Sequence, residues 1–389
     1  MLGAKGRVTL AAAAAVVAGG AWLAVGSGDG GDDLRAGSEL VDADASQLLA
    51  PEDPPDAYRI DYRIEGYGGG DRVVTADRLW VRRPFDSRLE VFPGPDPTGD
   101  PDAVQVGAFG AFRAEGEARD PVVVASPPGP PPSDVRIASA LAAAVEDGRA
   151  EVVEHRRVLG RTCAVVRTAV PFASGDLRAA GDDGERTDTC VDAQGLVLEE
   201  LVVSDGEPLL RRLATEVDLD PDLDDVSFDA GEPTLEVDQG GGFVGELAEG
   251  SRSPGRFFEA EGPAGFERRG RYAVVPPQAE SFTDPTKRGE RLTYVSDVWV
   301  DGVDVVVLDQ GGTFGDVDPF PGLEGVDVDL ELGPATLTYD RTGAAVVVYL
   351  GEGDFLRARG TVTPDVLVEL LRGLREVEGG ELRALDPAD

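Results

Sequence analysis

The sequence predicts an α+β protein with two small domains, each built from antiparallel strands and one helix. Apolar side chains at Tyr58, Ile60, Tyr62 and Ile64 alternate with charged ones, which is typical of a half-buried antiparallel strand. Similar runs follow, interrupted by the alanine-rich "SDVRIASALAAAVEDG" and, much later, by "TPDVLVELLRGL". Both of these have helical spacing and helical end signals.

The first domain is predicted over residues 57–230. Its first strands are "RVVTADRLWVRRP", "SRLEVF", "AVQVGAFGAFRAE" and "DPVVVAS", joined by turns rich in Gly, Pro and Asp. A helix then begins after Ser133, a plausible N-cap, and ends near Gly148. Strand character resumes at "AEVVEHRRVLGRTCAVVRTAVP". We expect a curved antiparallel sheet whose apolar face is covered by the helix.

A linker is predicted over residues 231–265, because this segment has little apolar periodicity, and a smaller α+β domain is predicted over residues 266–380 with a tail at 381–389. The last helix has Thr363 as N-cap, Pro364 at its first position and Asp365 near the positive end of its dipole. One apolar stripe should pack it on the second sheet. The stripe consists of Val366, Leu367, Leu370, Leu371 and Leu374.

The N-terminal segment predicts export. Lys5 and Arg7 precede an apolar run from Val8 to Val25, and acidic residues follow it. Residues 1–26 are therefore interpreted as a signal peptide or an uncleaved membrane anchor, the run length favouring an anchor. The Gly- and Asp-rich residues 27–56 are interpreted as a disordered tether. The body should lie at the outer face of the cytoplasmic membrane or in the cell envelope.

The net charge of −38 argues against nucleic acid as a partner, since phosphate binding needs clustered Lys and Arg. Cys163 and Cys190 are the only cysteines, and each lies in a strand-like run beside one shared loop. Two cysteines on neighbouring strands of an exported domain favour a disulfide, because such strands bring them within reach and export permits oxidation. Metal binding would need more ligands, and a thiol nucleophile would have only His155 as an imidazole partner.

The sequence segments around the two cysteines resemble the LolA/RseB-like family of exported bacterial proteins. The strand "RVLGRTCAVVRTAVP" and the turn "TCVDAQGLVLEE" carry the resemblance, and "ATLTYDRTGAAVVVYLGEGDFLRARGTV" looks like the smaller C-terminal domain of RseB/MucB-type regulators. The matching positions are Gly160, Val191, Asp192, Gly195, Leu196 and Leu198, with Tyr58, Tyr62, Val81 and Pro84 earlier in the chain.

The resemblance implies a half-barrel sheet that, with its covering helix, encloses an apolar cavity. Lipoprotein carriers of the family hold acyl chains there, and RseB-type members bind an anti-sigma factor. The strong acidity and possible anchor of this chain argue against a freely soluble shuttle. Six aromatic residues are candidates for lining the cavity, although an ordinary filled core is the simpler interpretation. They are Tyr58, Tyr62, Trp80, Phe92, Phe109 and Phe112.

No catalytic or cofactor motif is apparent. Asp218, Asp220 and Asp222 alternate as calcium ligands would, but Leu223 stands where the sharp-turn Gly is needed, so an acidic turn is the simpler interpretation. We therefore expect a non-enzymatic binding protein without metal or cofactor. Its expected partners are the membrane through the N-terminal segment, an acyl-bearing lipid or lipoprotein, and an anti-sigma factor or other membrane protein. The alternatives are a cell-surface adaptor without a cavity and a secreted hydrolase using two carboxylates.

Overall fold

A computed structural model describes most of the two predicted domains. The residues it describes are 38–40, 55–68, 71–108, 111–116, 119–125, 135–168, 186–230, 237–238, 256–274, 294–312, 325–340, 343–351 and 353–378. The segment predicted as a signal or anchor lies outside this set. Among the described residues, no helix has the length and hydropathy needed to cross a bilayer.

The first sheet has twelve antiparallel strands in the order β1-β8-β9-β10-β11-β12-β2-β3-β4-β5-β6-β7. The chain therefore runs as two meanders, β2 to β7 and β8 to β12, which join where β12 pairs with β2. The strands are β1 Ser38–Leu40, β2 Ala57–Gly68, β3 Asp71–Arg82, β4 Asp86–Phe92, β5 Ala103–Ala108, β6 Ala111–Gly116, β7 Arg119–Ala125, β8 Glu151–Val158, β9 Arg161–Thr168, β10 Arg186–Asp192, β11 Val197–Ser204 and β12 Glu207–Asp218.

The second sheet has eight strands, all antiparallel, in the order β13-β15-β16-β17-β21-β20-β19-β18. Strands β14 and β22 pair with each other in a separate two-stranded sheet. The strands are β13 Val237–Asp238, β14 Phe257–Glu259, β15 Glu267–Val274, β16 Tyr294–Asp301, β17 Asp304–Gly312, β18 Val326–Val328, β19 Ala335–Asp340, β20 Gly343–Gly351, β21 Asp354–Gly360 and β22 Arg375–Val377.

Helix α1, Val135–Glu146, packs between the two sheets. Its Leu141 and Ala144 share one buried cluster with Ala164 and Val191 of the first sheet and with many residues of the second. The helix contacts β19 and β20, and the Tyr339 hydroxyl donates to Asp147 Oδ2 at 2.7 Å just beyond its end. The helix that was expected to cover the first sheet thus also contributes to the core of the second.

Helix α2, Pro364–Arg372, begins at the predicted proline and covers β20 and β21. The helix buries Leu367, Leu370 and Leu371, three of the five residues of the predicted stripe. The other two, Val366 and Leu374, are half-buried at the margins of the contact. The apolar spacing of this helix was therefore a sound guide to its packing.

Three short strands form where the sequence predicts a tether or a linker. Strand β1 lies in the predicted tether and pairs with β8, while β13 and β14 lie in the predicted linker. A strand of two or three residues is held by backbone hydrogen bonds to a neighbour that is distant in sequence. Its formation therefore needs no apolar periodicity of its own, and a sequence pattern cannot indicate it.

Candidate functional site on the first sheet

The register between β2 and β3 decides which aromatic side chains share a face. Tyr58 lies opposite Val81, Ile60 opposite Leu79 and Tyr62 opposite Asp77, and directly opposed residues of antiparallel strands point to the same side. Strand β12 adds two further residues to this side, since Ala214 pairs with Tyr62 and Arg212 with Ile64. We call this set the aromatic face; it consists of Tyr58, Ile60, Tyr62, Ile64, Asp77, Leu79, Val81, Arg212 and Ala214.

The aromatic face brings together only two of the six predicted cavity residues. Tyr58 and Tyr62 are buried there, at 0% and 1% exposure, in a cluster that also contains both cysteines. Trp80 lies opposite Arg59 and so points to the other side of the sheet. Phe92 lies opposite Ala76, on the side of Trp80. Assigning Trp80 and Phe92 to the same lining as Tyr58 was therefore wrong.

Phe109 and Phe112 are the two remaining candidates. Phe112 belongs to β6, and Phe109 lies outside the described residues. A signal that separates Trp80 from the tyrosines was present in the sequence, because a two-residue connection after Gly68 sets Gly68 opposite Asp71 and fixes the register of the whole hairpin. Counting from that turn places Trp80 opposite Arg59.

The opposite face of the same strands carries charged pairs. Arg78 forms a bidentate pair with Asp61, both N···O distances being 2.8 Å, and Arg59 and Arg78 lie over the Trp80 ring at 5.5 and 6.0 Å. Paired arginines continue along the sheet, so that this side is held by local charge neutralisation. Each of the following arginines contacts a carboxylate: Arg59, Arg63, Arg72, Arg78, Arg88, Arg156, Arg161, Arg167 and Arg211.

Arg212 differs from these arginines. Its Cζ lies 3.7 Å from the centroid of the Tyr62 ring, and the Tyr62 hydroxyl donates to the backbone oxygen of Val197 at 2.8 Å. The guanidinium is thus stacked on a ring that is itself held in place. Its Nε is buried and has no hydrogen-bond partner in the described part of the chain.

Asp77 is the acidic counterpart on the aromatic face. The residue is 7% exposed, and no described residue donates a hydrogen bond to it or forms an ion pair with it within 4.0 Å. Burial raises the pKa of the Asp77 carboxyl, and the positive charge of Arg212 opposes that rise only partly. The face therefore carries two opposite charges that influence one another without touching.

The predicted disulfide is present. Cys163 and Cys190 lie on neighbouring strands β9 and β10, with their Cα atoms 5.4 Å apart. The next residues form the turn that carries the family resemblance. In this turn Asp192 Oδ1 accepts hydrogen bonds from the backbone N–H of Gln194 and of Leu196, both at 2.9 Å, and Gly195 has a φ of 78°, which favours glycine. The motif thus encodes a side-chain-capped turn.

Several buried acids elsewhere in the two sheets have arginine partners. Glu199 Oε1 accepts from Arg211 and Oε2 from Arg156, both at 2.7 Å. In the second sheet Asp297 accepts two bonds from Arg271. Carboxylates held in this way serve as structural ion pairs. Among the described residues, no group of three or more His, Cys, Asp or Glu side chains could hold a metal ion.

Asp309 is the most heavily bonded acid of the second sheet. It accepts hydrogen bonds from Arg357, Arg359 and the Ser296 hydroxyl. Burial acts to raise the pKa of this carboxyl, but the arginines and the hydroxyl together hold it below its usual range. Asp309 is therefore a fixed anion of the core.

A small cavity lies away from the aromatic face. It has a volume of about 90 Å³ and lies between α1, β19, β20 and the start of α2. Its lining includes Ala143, Tyr339, Thr361 and Pro364. This volume holds only a few water molecules, so this cavity is too small for an acyl chain.

Comparison with known proteins finds likeness in solved structures only. No protein-family model matches the chain, and no curated protein matches it. The complex of MucA and MucB from Pseudomonas aeruginosa matches at 15% identity over 82% of this chain and 93% of that chain, with a TM-score of 0.31. A crystal structure of MucB matches at 13% identity over 84% of this chain and 94% of that chain, with a TM-score of 0.28.

A LolA superfamily protein from Nitrosomonas europaea matches at 7% identity, over 46% of this chain and 92% of that chain, with a TM-score of 0.21. The architecture described above, mostly antiparallel sheet with few helices, is established by the chain's own strand pairings.

Proposed function

We propose that this chain is an exported, non-enzymatic binding protein whose aromatic face takes an amphiphile with an acyl chain. The observation that carries the proposal is the composition of that face. Asp77 and Arg212 lie on the same face as buried aromatic and aliphatic side chains, and among the described residues neither charge forms an ion pair within 4.0 Å. Unpaired buried charges reduce stability, so their presence on an apolar surface indicates a role in binding.

The N-terminal segment is proposed to hold the protein at the outer face of the cytoplasmic membrane, where acyl-bearing molecules are present. The LolA/RseB-like resemblance of the sequence is consistent with such a ligand. Because Tyr58 and Tyr62 are fully buried in this structure, the proposal includes a step in which the face opens to admit the ligand. Binding would then replace protein contacts on this face with contacts to an acyl chain.

Native mass spectrometry of the exported chain, purified from the cell envelope without harsh detergent, tests the proposal. We expect a bound species whose mass is that of an acyl-bearing amphiphile. Leu79→Ser should lose the species, whereas Trp80→Ser, one residue along and on the opposite face, should keep it. The wild-type protein carrying no such species, and taking up none after incubation with lipid, would overturn the proposal.

A cell-surface adaptor is the second candidate, because the complete burial of Tyr58 and Ile60 is also what a packed core produces. An adaptor would bind a protein partner, such as the extracytoplasmic segment of an anti-sigma factor, without any lipid. The same mass spectra separate the two functions. A wild-type species carrying a polypeptide and no lipid supports the adaptor.

A further inference from the structure

The two faces of the second sheet can be told apart by the register of β16 and β17. Val298 lies opposite Val307, and Trp299 lies opposite Val306. Directly opposed residues share a face and successive residues of a strand alternate, so the two pairs lie on different faces. We call the face of Val298, Val305 and Val307 the valine face, and the face of Trp299 and Val306 the tryptophan face.

Helix α1 of the first domain covers the tryptophan face. Its Leu141 lies in one buried cluster with Trp299 and Val306. Just beyond the helix, Asp147 Oδ2 accepts a hydrogen bond at 2.7 Å from the hydroxyl of Tyr339 in β19. The first domain is therefore bonded to the second sheet, and packed against it, on this face.

Phe85 of the first domain covers the valine face. It lies in the turn between β3 and β4, where a side chain is ordinarily exposed, yet it is only 8% exposed. It forms one buried cluster with Val298, Val305 and Val307, each at 0% exposure. Among the described residues, no other side chain of the first domain belongs to this cluster.

The turn that carries Phe85 is fixed to the first domain on both sides. Across the turn, Arg82 Nε and Nη2 donate to Asp86 Oδ2 at 2.8 and 2.6 Å. The backbone N–H of Arg83 donates to the carbonyl oxygen of Asp56, ahead of β2, at 2.9 Å. Phe85 can therefore leave the valine face only if these contacts break or the two domains move relative to one another.

We propose that Phe85 is a latch that joins the two domains into one cooperative unit. The first domain contacts the second sheet on opposite faces, so a rotation that moves the sheet away from α1 presses it against Phe85. The domains can then separate only after Phe85 has left the valine face. A partner that touches both domains would meet one preformed surface. The latch requires no ligand, so it is independent of the proposed function.

Native-state hydrogen exchange of the full chain tests the latch, with mass spectrometry of peptides from β2 and β3 and from β16 and β17. Two domains that open only together exchange their slowest amides through the same global unfolding, and these amides then have equal protection. We expect this equality in the wild-type protein. A wild-type chain in which β16 and β17 open independently of β2 and β3 would overturn the proposal.

Substitutions at two buried phenylalanines separate a latch from an ordinary core residue. Phe85→Ala should lower the protection of β16 and β17 by roughly 100-fold or more, and that of β2 and β3 by less than about tenfold. Phe92→Ala is the matched control, because Phe92 is 2% exposed in β4 and belongs to no described cluster of the second sheet. It should lower the protection of both domains by the same factor.

Equal losses in the two domains of Phe85→Ala, as in the control, would show that Phe85 only adds to the general core and would overturn the latch. Should Phe85→Ala fail to fold, Phe85→Val decides the matter, because it keeps part of the apolar contact. A larger loss at β16 and β17 than at β2 and β3 in this variant supports the latch. Equal losses overturn it.

Discussion

The Cys163–Cys190 disulfide should contribute about 3.5 kcal/mol to the free energy of unfolding in the chain-entropy treatment. The bond joins residues that are 27 positions apart. A cross-link across such a loop removes roughly 12 cal/mol/K of entropy from the denatured chain, and at 298 K this gives about 3.5 kcal/mol. Both cysteines are buried in the cluster beneath Tyr58 and Tyr62, so the bond lies inside the domain it stabilises.

The measurement compares oxidised and reduced forms of the same chain in urea, followed by far-ultraviolet circular dichroism. Using reduced wild-type protein keeps both sulfur atoms in the core, so the difference reports the cross-link rather than lost packing. We expect a lower midpoint for the reduced form and a steeper dependence on urea, because its denatured state is more expanded. The Cys163→Ala/Cys190→Ala variant should be less stable again, since it also loses buried volume.

A difference below about 1 kcal/mol would refute this reasoning, because loop closure could then not be the source of the stabilisation. Such a result would mean that the denatured chain already keeps β9 and β10 together. A thiol count under native conditions provides a separate check. Labelling of both cysteines in the exported native protein would show that the bond does not form.

Three further predictions concern stability. Glu199→Gln should lower the free energy of unfolding by about 3 kcal/mol, because it removes the carboxylate bonded to buried Arg211 and one of the two carboxylates bonded to Arg156. Glu115→Gln at a half-exposed pair should cost less than about 1 kcal/mol in the same denaturation assay. Gly262→Ala should destabilise the protein strongly and change tryptophan fluorescence, because the new Cβ would lie 2.2 Å from the indole nitrogen of Trp299. Gly206→Ala has a similar φ but open space around the new Cβ, so it should show only the backbone strain of about 1 kcal/mol. Equal losses of stability in the two variants would contradict the clash with Trp299. Asp77→Asn should stabilise the protein at pH 7. Because the pKa of the Asp77 carboxyl is raised in the folded state, the folded protein binds this proton more tightly than the unfolded chain, and wild-type stability falls as pH rises through that pKa. The stabilisation by Asp77→Asn should therefore shrink in acid. A variant that loses stability at every pH would contradict this sign.

The sequence was informative wherever local chemistry decides the structure. The alternation from Tyr58 to Ile64 predicted β2, Pro364 predicted the start of α2, and the "VDAQGL" segment formed the capped turn that the resemblance implied. In each case the signal is a side-chain spacing or a terminal residue, and the structure it specifies involves neighbours in the chain. Such features survive any change in the rest of the fold.

Long-range pairing was beyond those signals. Strand β1 forms because β8 offers its edge to a segment more than a hundred residues away, and α1 is shared by both sheets because Leu141 and Ala144 meet apolar surface on each side. The misplacement of Trp80 had a different origin. The face on which Trp80 lies is set by the register of its hairpin, because a strand presents alternate residues to opposite faces, and aromatic character carries no information on that register.

By itself, the sequence determined the α+β class, the two cysteines that form the disulfide, and the strand face shared by Tyr58, Ile60 and Tyr62, because these follow from composition and local periodicity. Only the tertiary structure decided that Asp77 and Arg212 share that face. They are 135 positions apart in the chain, and they approach only because β12 and β3 both pair with β2. The registers of these two strand pairings join residues distant in the chain, and a one-residue slip in either would move one of the two charges to the opposite face.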